Sequence, residues 1–179
     1  MKARFSKSRL PATALAGPNS SRLRNGAAMH LAKILVPVDF SSESTKAIAY
    51  AVAFAREFGA TITLLHVVEP ILWPADYGYG PVTMQLPDQA MMRKAKARLN
   101  KMGARLIGHK FLAETQVLNG KADFEITEAA KALGSDLIII GTHGRTGLDH
   151  TLLGSTAEKV VRHAPCPVFV VRRKEHEFV

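Results

Sequence analysis

The sequence of 179 residues predicts an α/β fold, an open five-stranded parallel sheet with helices on both faces. Between Lys33 and Val171, apolar runs alternate with helical patterns, which requires crossover connections between parallel strands. The runs are continuously apolar, as in DLIII at 136–140, which is typical of strands buried on both faces. The predicted strand order is 3-2-1-4-5, so a ligand is expected beyond the carboxyl ends of the first and fourth strands.

The predicted strands are short runs rich in β-branched and other apolar residues, bounded by glycine, proline or polar residues. In chain order they are 33–38, 60–68, 112–118, 136–140 and 168–171. Pro37 places the end of the first strand near Val38, because proline has no N–H to donate to a ladder.

The predicted helices combine start and stop signals with an apolar stripe. In chain order they are 41–58, 88–106, 123–133 and 155–163. Ser41 or Ser42 is expected to cap the first helix and Asp123 the third, and these helices end at Gly59 and Gly134. The second helix is expected to face the core with Met91, Ala95, Leu99, Met102 and Leu106.

Residues 69–88 form an insertion that is expected to lack regular structure. They hold four prolines and two glycines, and they are long for a connection between a strand and a helix. We interpret this segment as a surface excursion or a lid.

Residues 1–28 are basic and serine-rich, with six Lys or Arg side chains and no acidic residue. They are interpreted as a disordered extension, as sequence upstream of a natural start at Met29, or as an organellar transit peptide. Direct contact of this extension with nucleic acid is a less favoured alternative. In each case the folded domain is 29–179. That domain holds 18 basic and 15 acidic residues, so it is nearly neutral and no nucleic-acid partner is expected.

The composition excludes several classes of protein. Hydrophobic residues make up 47% and charged residues 22%, which are ordinary values for a globular chain. No apolar run is long enough for a transmembrane helix, so no membrane association is expected. The single cysteine, Cys166, excludes a disulfide framework, and the scattered histidines do not predict a metal site.

A glycine-containing loop follows the fourth predicted strand and opens the last helix. Gly141, Gly144, Gly154 and Ser155 are spaced as G-x2-G-x9-G-S. Glycine allows positive φ and a close approach of the backbone to a ligand, and a helix N-terminus offers unpaired N–H groups to an anion. The hydroxyls of Ser155 and Thr156 and the cation of Arg145 would complete a phosphate site. The alternative is a tight turn that joins two elements and binds nothing.

Two further candidates lie beyond the first and second predicted strands. The carboxylate of Asp39 could accept hydrogen bonds from an adenine amine or from ribose hydroxyls; the alternative is an Asp that only organises the turn ahead of Ser41. Val67 could meet an adenine edge through its side chain and backbone, or it could be plain core.

The segments KILVPVDFSSES, LLHVVEP and DLIIIGTHGRTGLDHTLLGSTAEKVVRHAPCPVFVVR, in this order, resemble the universal stress protein (UspA) family. The resemblance covers about residues 31–172 and includes the glycine pattern of the ATP-binding branch. It implies a Rossmann-like fold of the adenine nucleotide alpha hydrolase type. It also implies a homodimer paired through the last strand, Val168–Val171, since an exposed apolar edge strand favours pairing.

The same resemblance implies the positions of an adenine nucleotide. Pro37, Asp39 and Val67 would enclose adenine and ribose. The ribose and phosphates would be held by Gly141, Thr142, His143, Gly144, Arg145, Thr146, Gly147, Gly154, Ser155, Thr156 and Ala157.

The resulting expectation is a cytoplasmic, dimeric, ATP-binding protein that acts as a sensor or regulator in the stress response. An organellar location is the alternative if residues 1–28 are a transit peptide. Mg²⁺ would join ATP if the phosphates supply most of its ligands. No water-orienting base stands out, so ATP is expected to be a bound ligand; the alternatives are a slow ATPase or a protein-interaction module that binds no nucleotide.

Overall fold

The computed structural model describes residues 30–73, 83–85, 87–142 and 154–172, and its compact unit begins at Leu31. The described strands are β1 (Lys33–Pro37), β2 (Thr61–Val68), β3 (Ile71–Trp73), β4 (Thr83–Gln85), β5 (Leu112–Asn119), β6 (Leu137–Gly141) and β7 (Val168–Val171). The described helices are α1 (Ser42–Phe58), α2 (Gln89–Leu106), α3 (Ala122–Leu133) and α4 (Ser155–His163). None of these helices is long and apolar enough to cross a membrane.

Five of these strands form one parallel sheet in the order β5-β2-β1-β6-β7. Numbered within that sheet, the order is 3-2-1-4-5, so the predicted fold class and strand order are confirmed. The order reverses between β1 and β6, which makes the carboxyl ends of these two strands the topological switch point.

Two hydrophobic clusters cover the two faces of the sheet. Residues of α1 and α2 pack with Ile34 and Val36 of β1, whereas residues of α3 and α4 pack with Leu35 of the same strand. Successive side chains of a strand point to opposite faces, which explains why the KILVP run is apolar without alternation. Leu35 is fully buried, and burial of such a side chain contributes about 2 kcal/mol.

The helix caps agree with the sequence at most positions. Ser41 caps α1 by accepting a hydrogen bond from the backbone N–H of Ser44 at 3.1 Å, and Gly59 ends the helix with φ of 72°. Asp88 caps α2 by accepting from the N–H of Met91 at 2.6 Å.

Two predictions about helix residues are wrong. Asp123 is not the cap of α3, because the helix starts one residue earlier, and Asp123 lies in its first turn, 3.6 Å from the Lys121 ammonium. The carboxylate of Glu69 takes the capping role instead and accepts from the N–H of Ala122 at 2.8 Å. Met91 is 45% exposed, because the first turn of α2 buries no residue and full burial begins at Leu99.

The expectation that 69–88 lacks regular structure is also wrong in part. Strands β3 and β4 pair in antiparallel register, with Ile71 opposite Gln85 and Trp73 opposite Thr83. The described prolines of the segment, Pro70 and Pro87, lie outside both strands. A role as a lid stays a prediction, and residues 74–82 and 86 lie outside the described residues.

Candidate functional site

The sheet opens at the switch point because Pro37 ends one of its ladders. Pairing of β1 with β2 continues to Pro37 opposite Leu65, but pairing with β6 stops at Leu35 opposite Ile138. Backbone groups of successive residues face opposite neighbours: the carbonyl of Lys33 accepts from Asp136 on the β6 side, and the N–H of Val38 donates to Leu65 on the β2 side. By this alternation the nitrogen of Pro37 faces β6 and has no hydrogen to donate. Open α/β sheets bind ligands beyond the carboxyl ends of the two strands at such a point, and we call this region the crevice.

Asp39 lies in the turn after β1, beside this crevice. Its Oδ1 accepts from the backbone N–H of Ser41 at 3.0 Å and from the Ser41 hydroxyl at 2.5 Å. Its Oδ2 is buried and has no hydrogen-bond partner among the described residues. One oxygen therefore organises the turn, as the alternative interpretation holds, and the other remains an acceptor. A buried polar atom without a partner costs about 1–3 kcal/mol, so it calls for an explanation.

Phe40 holds this turn in a strained conformation. Its φ is 67°, which is rare for a bulky residue, and it is the single non-glycine residue with positive φ in the described part of the chain. Its ring lies 4.5 Å from the ring of His66, centroid to centroid, and the guanidinium carbon of Arg98 lies 4.1 Å from its centroid. The Nδ1 of His66 hydrogen-bonds the Val38 carbonyl at 2.6 Å. These contacts tie the Asp39 turn to β2 and α2.

Val67 is half-buried near the end of β2 and packs against the cluster on the α3 and α4 side of the sheet. Alternate residues of β2 present backbone groups to β1, as Leu65 does when its carbonyl accepts from Val38 at 2.7 Å. Val67 lies two residues further, beyond the last paired residue of β1. Its backbone therefore faces the same side at the level of the Asp39 turn. The side chain of Val67 packs against the core, and contact of its backbone with a ligand stays a prediction.

The loop after β6 is closed by backbone hydrogen bonds at its two ends. The N–H of Thr142 donates to the Val171 carbonyl at 2.8 Å, and the Thr142 carbonyl accepts from Gly154 at 2.7 Å. This pair of bonds brings the start of α4 to the carboxyl end of β6. Residues 143–153 lie outside the described residues, and with them the predicted site residues His143, Gly144, Arg145, Thr146 and Gly147.

The two described glycines of the G-x2-G-x9-G-S pattern do not have the positive φ that the sequence suggested. Gly154 has φ of −67°, and Gly141 is not among the described residues with positive φ. A Cβ on Gly141 would lie 3.0 Å from the Cβ of Glu43 and 3.2 Å from its backbone carbon. Glycine at 141 therefore allows β6 to approach the first turn of α1 closely, and a larger residue would require Glu43 to shift.

The N-terminus of α4 is a position where an anion is stabilised. Gly154 is its N-cap and offers no side-chain cap, and Ala157 in the first turn is buried, which anchors the helix. The N–H groups of Ser155, Thr156 and Ala157 have no acceptor given by the described residues, as is usual for a first turn. Their partial positive charge favours a phosphate or a carboxylate in front of them.

The crevice thus joins a carboxylate acceptor on the β1 side to amide donors on the β6 side. Pro37, Asp39, Gly141, Thr142, Gly154 and the first turn of α4 lie at this carboxyl edge of the sheet, with Val67 beside them. In the described part of the chain no cluster of three His, Cys, Asp or Glu residues could hold a metal ion. Sequence reasoning missed Phe40 and the backbone role of Gly141, since neither backbone strain nor a contact between distant elements has a signal in a single sequence.

This edge and the fold together place the chain among the open α/β proteins that hold small ligands at a topological switch point. The family model of the universal stress protein family matches residues 30–172, which is most of the chain. A universal stress protein of Methanocaldococcus jannaschii, MJ0531, is 34% identical over 163 residues, covering 88% of this chain and 91% of that protein. Universal stress protein A homolog 2 of Coxiella burnetii is 35% identical over 149 residues, with coverages of 79% and 95%. The chain belongs to the universal stress protein family.

Solved structures agree with this assignment. The M. jannaschii protein MJ0577 is 26% identical with a TM-score of 0.63, covering 82% of this chain and 99% of that chain. UspA from Lactobacillus plantarum is 27% identical with a TM-score of 0.58 and coverages of 80% and 99%. A universal stress protein from Archaeoglobus fulgidus, solved in complex with dAMP, shares the fold at 21% identity and a TM-score of 0.57, with coverages of 80% and 99%.

Proposed function

We propose that this protein binds ATP in the crevice between β1 and β6 and acts in the stress response as a nucleotide-dependent sensor or regulator. The observation that carries the proposal is the buried Oδ2 of Asp39, which has no partner among the described residues. An ionised carboxylate accepts hydrogen bonds only, so its ligand must be a donor. Ribose hydroxyls and the adenine amine are donors of the required kind.

The nucleotide is divided between the two sides of the crevice. The base lies against Pro37 and Val67, with Asp39 accepting from adenine or ribose. The phosphates lie before α4, where the N–H groups of Ser155, Thr156 and Ala157 point. The loop residues Gly141, Thr142, His143, Gly144, Arg145, Thr146 and Gly147, with Gly154, complete the ribose and phosphate contacts.

Two fold neighbours support the chemical class of the ligand. The A. fulgidus universal stress protein was solved with dAMP, and another universal stress protein was solved with cAMP. Both ligands are adenine nucleotides with a single phosphate. ATP is proposed because the sequence carries the glycine pattern that resembles the ATP-binding branch, and because the N-terminus of α4 favours an anion. Mg²⁺ would be held mainly by phosphate oxygens, because the described residues offer no carboxylate cluster for it.

We also propose that the protein forms a homodimer in which the two copies pair through β7. The two edges of the sheet differ: on the β5 edge, Lys96 of α2 donates to the Thr115 carbonyl and Asn100 accepts from the Thr115 hydroxyl. No described residue pairs with the outer edge of β7, and Val168, Phe169 and Val170 are half-buried. An unpaired apolar edge strand favours pairing with a second copy. The proposed domain spans residues 29–179 and contains the insertion at 69–88. The proposed location of the protein is the cytoplasm.

Isothermal titration of the purified protein with ATP tests the function. A saturable heat, or adenine nucleotide released by denaturation and identified by mass spectrometry, is the expected result. A heat no larger than a buffer blank, together with no released nucleotide, would contradict it. Release of phosphate from ATP faster than about 1 per second would indicate that the protein is an ATPase rather than a sensor.

Substitution of Gly154 tests the placement of the phosphates. Its φ of −67° and ψ of 152° are ordinary extended backbone, so Gly154→Val is compatible with the backbone conformation at this position. The valine side chain would fill the space before the first turn of α4 and abolish binding. Gly154→Ala, the matched control, adds one methyl group and should cost less affinity. Unchanged affinity in Gly154→Val would contradict this placement.

A further inference from the structure

The near neutrality of residues 29–179 conceals an uneven distribution of charge. Helix α2 carries six basic residues and no acidic one. The rest of the domain then holds twelve basic and fifteen acidic residues, so its net charge is negative. The expectation that no nucleic acid is bound rested on the average charge, which says nothing about one helix.

Four of these cations form a row on the solvent side of α2. Lys94, Arg98, Lys101 and Arg105 follow one another at intervals of four, three and four residues, which places them on one face of the helix. All four are exposed. We call them the α2 basic stripe. At 1.5 Å per residue the stripe is about 16 Å long.

The stripe is not neutralised by the described part of the chain. Lys94, Lys101 and Arg105 make no hydrogen bond or ion pair with a described residue, and Arg98 stacks on Phe40. The other two basic residues of α2 are engaged, since Lys96 donates to Thr115 and Arg93 to Gln89 at 3.4 Å. Like charges three or four residues apart repel each other and destabilise a helix. A polyanion would remove this repulsion.

We propose that the α2 basic stripe binds the phosphate backbone of double-stranded DNA without regard to sequence. A row of cations along one helix is an electrostatic footprint of nucleic-acid binding. Duplex DNA carries one negative charge per 1.7 Å of its axis, so several phosphates lie within the length of the stripe. Phosphate contacts of this kind fix position and carry no sequence information.

Two other occupants fit less well. A membrane-bound basic helix inserts an apolar face beside its charges, but the apolar face of α2, which includes Leu99, Met102 and Leu106, packs against the sheet. A second copy of this chain would need a matching acidic row. The most acidic described helix, α3, has a net charge of only −2, from Asp123, Glu125, Glu128 and Lys131.

The test is the salt dependence of binding to a labelled DNA duplex of about 20 base pairs, followed by fluorescence anisotropy. The test variant is Lys94→Gln/Lys101→Gln, which leaves Arg98 on Phe40. The control, Lys121→Gln/Lys131→Gln, makes the same charge change around α3, on the other face of the sheet. Residues 1–28 are present in all three proteins, so their contribution cancels in the comparison.

Loss of two phosphate contacts should reduce the slope of log affinity against log salt by about 1.8. Near 50 mM salt the test variant should bind DNA at least about tenfold more weakly than the wild type, and the control should match the wild type within about twofold. Equal slopes for the test variant and the wild type, an equal loss in the control, or binding to phosphatidylserine vesicles but not to DNA would each overturn the proposal.

Discussion

Two aspartates at opposite ends of β1 show how the same side chain serves structure at one end and is left available at the other. At the amino end, Oδ2 of Asp136 accepts from the backbone N–H groups of Ala32 and Lys33, both at 2.9 Å. At the carboxyl end, Oδ2 of Asp39 is buried and has no described partner. The protein itself satisfies the Oδ2 of Asp136, whereas no described residue satisfies the Oδ2 of Asp39.

The difference follows from the sheet. At the amino end β1 and β6 are bonded, and the Lys33 ammonium adds a hydrogen bond to the Leu133 carbonyl at 3.0 Å. At the carboxyl end the β1–β6 ladder stops at Leu35 opposite Ile138. No backbone hydrogen bond of this ladder therefore joins the two strands beside Asp39. Departures from local rules concentrate at this end, where Oδ2 of Asp39 has no partner among the described residues and Phe40 has positive φ.

The largest effect is expected for Asp136→Ala, which should reduce the stability of the fold. The half-buried N–H of Ala32 and the exposed N–H of Lys33 would lose a charged acceptor, which should lower the free energy of unfolding by about 2 kcal/mol. Urea unfolding measures this. Asp136→Asn keeps one acceptor oxygen and should lose less. If both variants unfold like the wild type, Asp136 does not join β1 to β6.

A smaller effect is expected at Phe40. Phe40→Ala and Phe40→Gly both remove the contacts with His66 and Arg98, but only glycine adopts φ of 67° without strain. Thermal unfolding should therefore show Phe40→Gly more stable than Phe40→Ala by about 1 kcal/mol. The reverse order would mean that the turn relaxes once the ring is removed.

For Asp39→Asn, stability should hold or rise. Asparagine retains an acceptor for Ser41, and it replaces a buried carboxylate oxygen that has no described partner by an amide. The free energy of unfolding should stay within about 0.5 kcal/mol of the wild type or exceed it. A loss of unfolding free energy as large as that of Asp136→Ala would mean that Asp39, like Asp136, mainly stabilises the fold.

The smallest effect concerns Cys166, near the Asp136 end. Burial raises the pKa of the Cys166 thiol, and the negative charge of Asp136 raises it further. Less thiolate is present at a given pH, so alkylation by iodoacetamide should be slow and its rise with pH displaced upward. Asp136→Asn removes the smaller cause, which should speed alkylation at pH 8. An unchanged rate would mean that the charge of Asp136 does not reach the thiol.

Much of the fold could be predicted because it depends on local patterns. Apolar runs gave the strands of the large sheet to within one residue, and Ser41, Gly59 and Gly134 lie where capping rules put them. The predictions for Asp123 and Met91 were wrong because each depends on contacts outside its own helix. Glu69 replaces Asp123 as the cap of α3, and Met91 is exposed although it lies on the apolar stripe of α2.

The candidate site could be predicted only in outline. The sequence placed Asp39 at the switch point, but the choice between organising a turn and meeting a ligand needed the separate positions of its two oxygens. The role of Gly141 in a nucleotide site stays a prediction, and its closeness to Glu43 could not be predicted because Glu43 is far away in sequence. The α2 basic stripe was hidden because net charge sums over faces that point in different directions.

We propose that the carboxyl end of β1 holds the ligand through Asp39, and the affinity for ATP measures this directly. Asp39→Asn retains the shape and the bond to Ser41 but presents an amide donor where the ligand needs an acceptor. Isothermal titration should show ATP binding weakened about 10- to 100-fold by Asp39→Asn, the loss of one charged hydrogen bond, and unchanged by Asp136→Asn at the other end. Wild-type affinity for ATP in Asp39→Asn, or an equal loss of affinity in Asp136→Asn, would show that Asp39 does not hold the nucleotide.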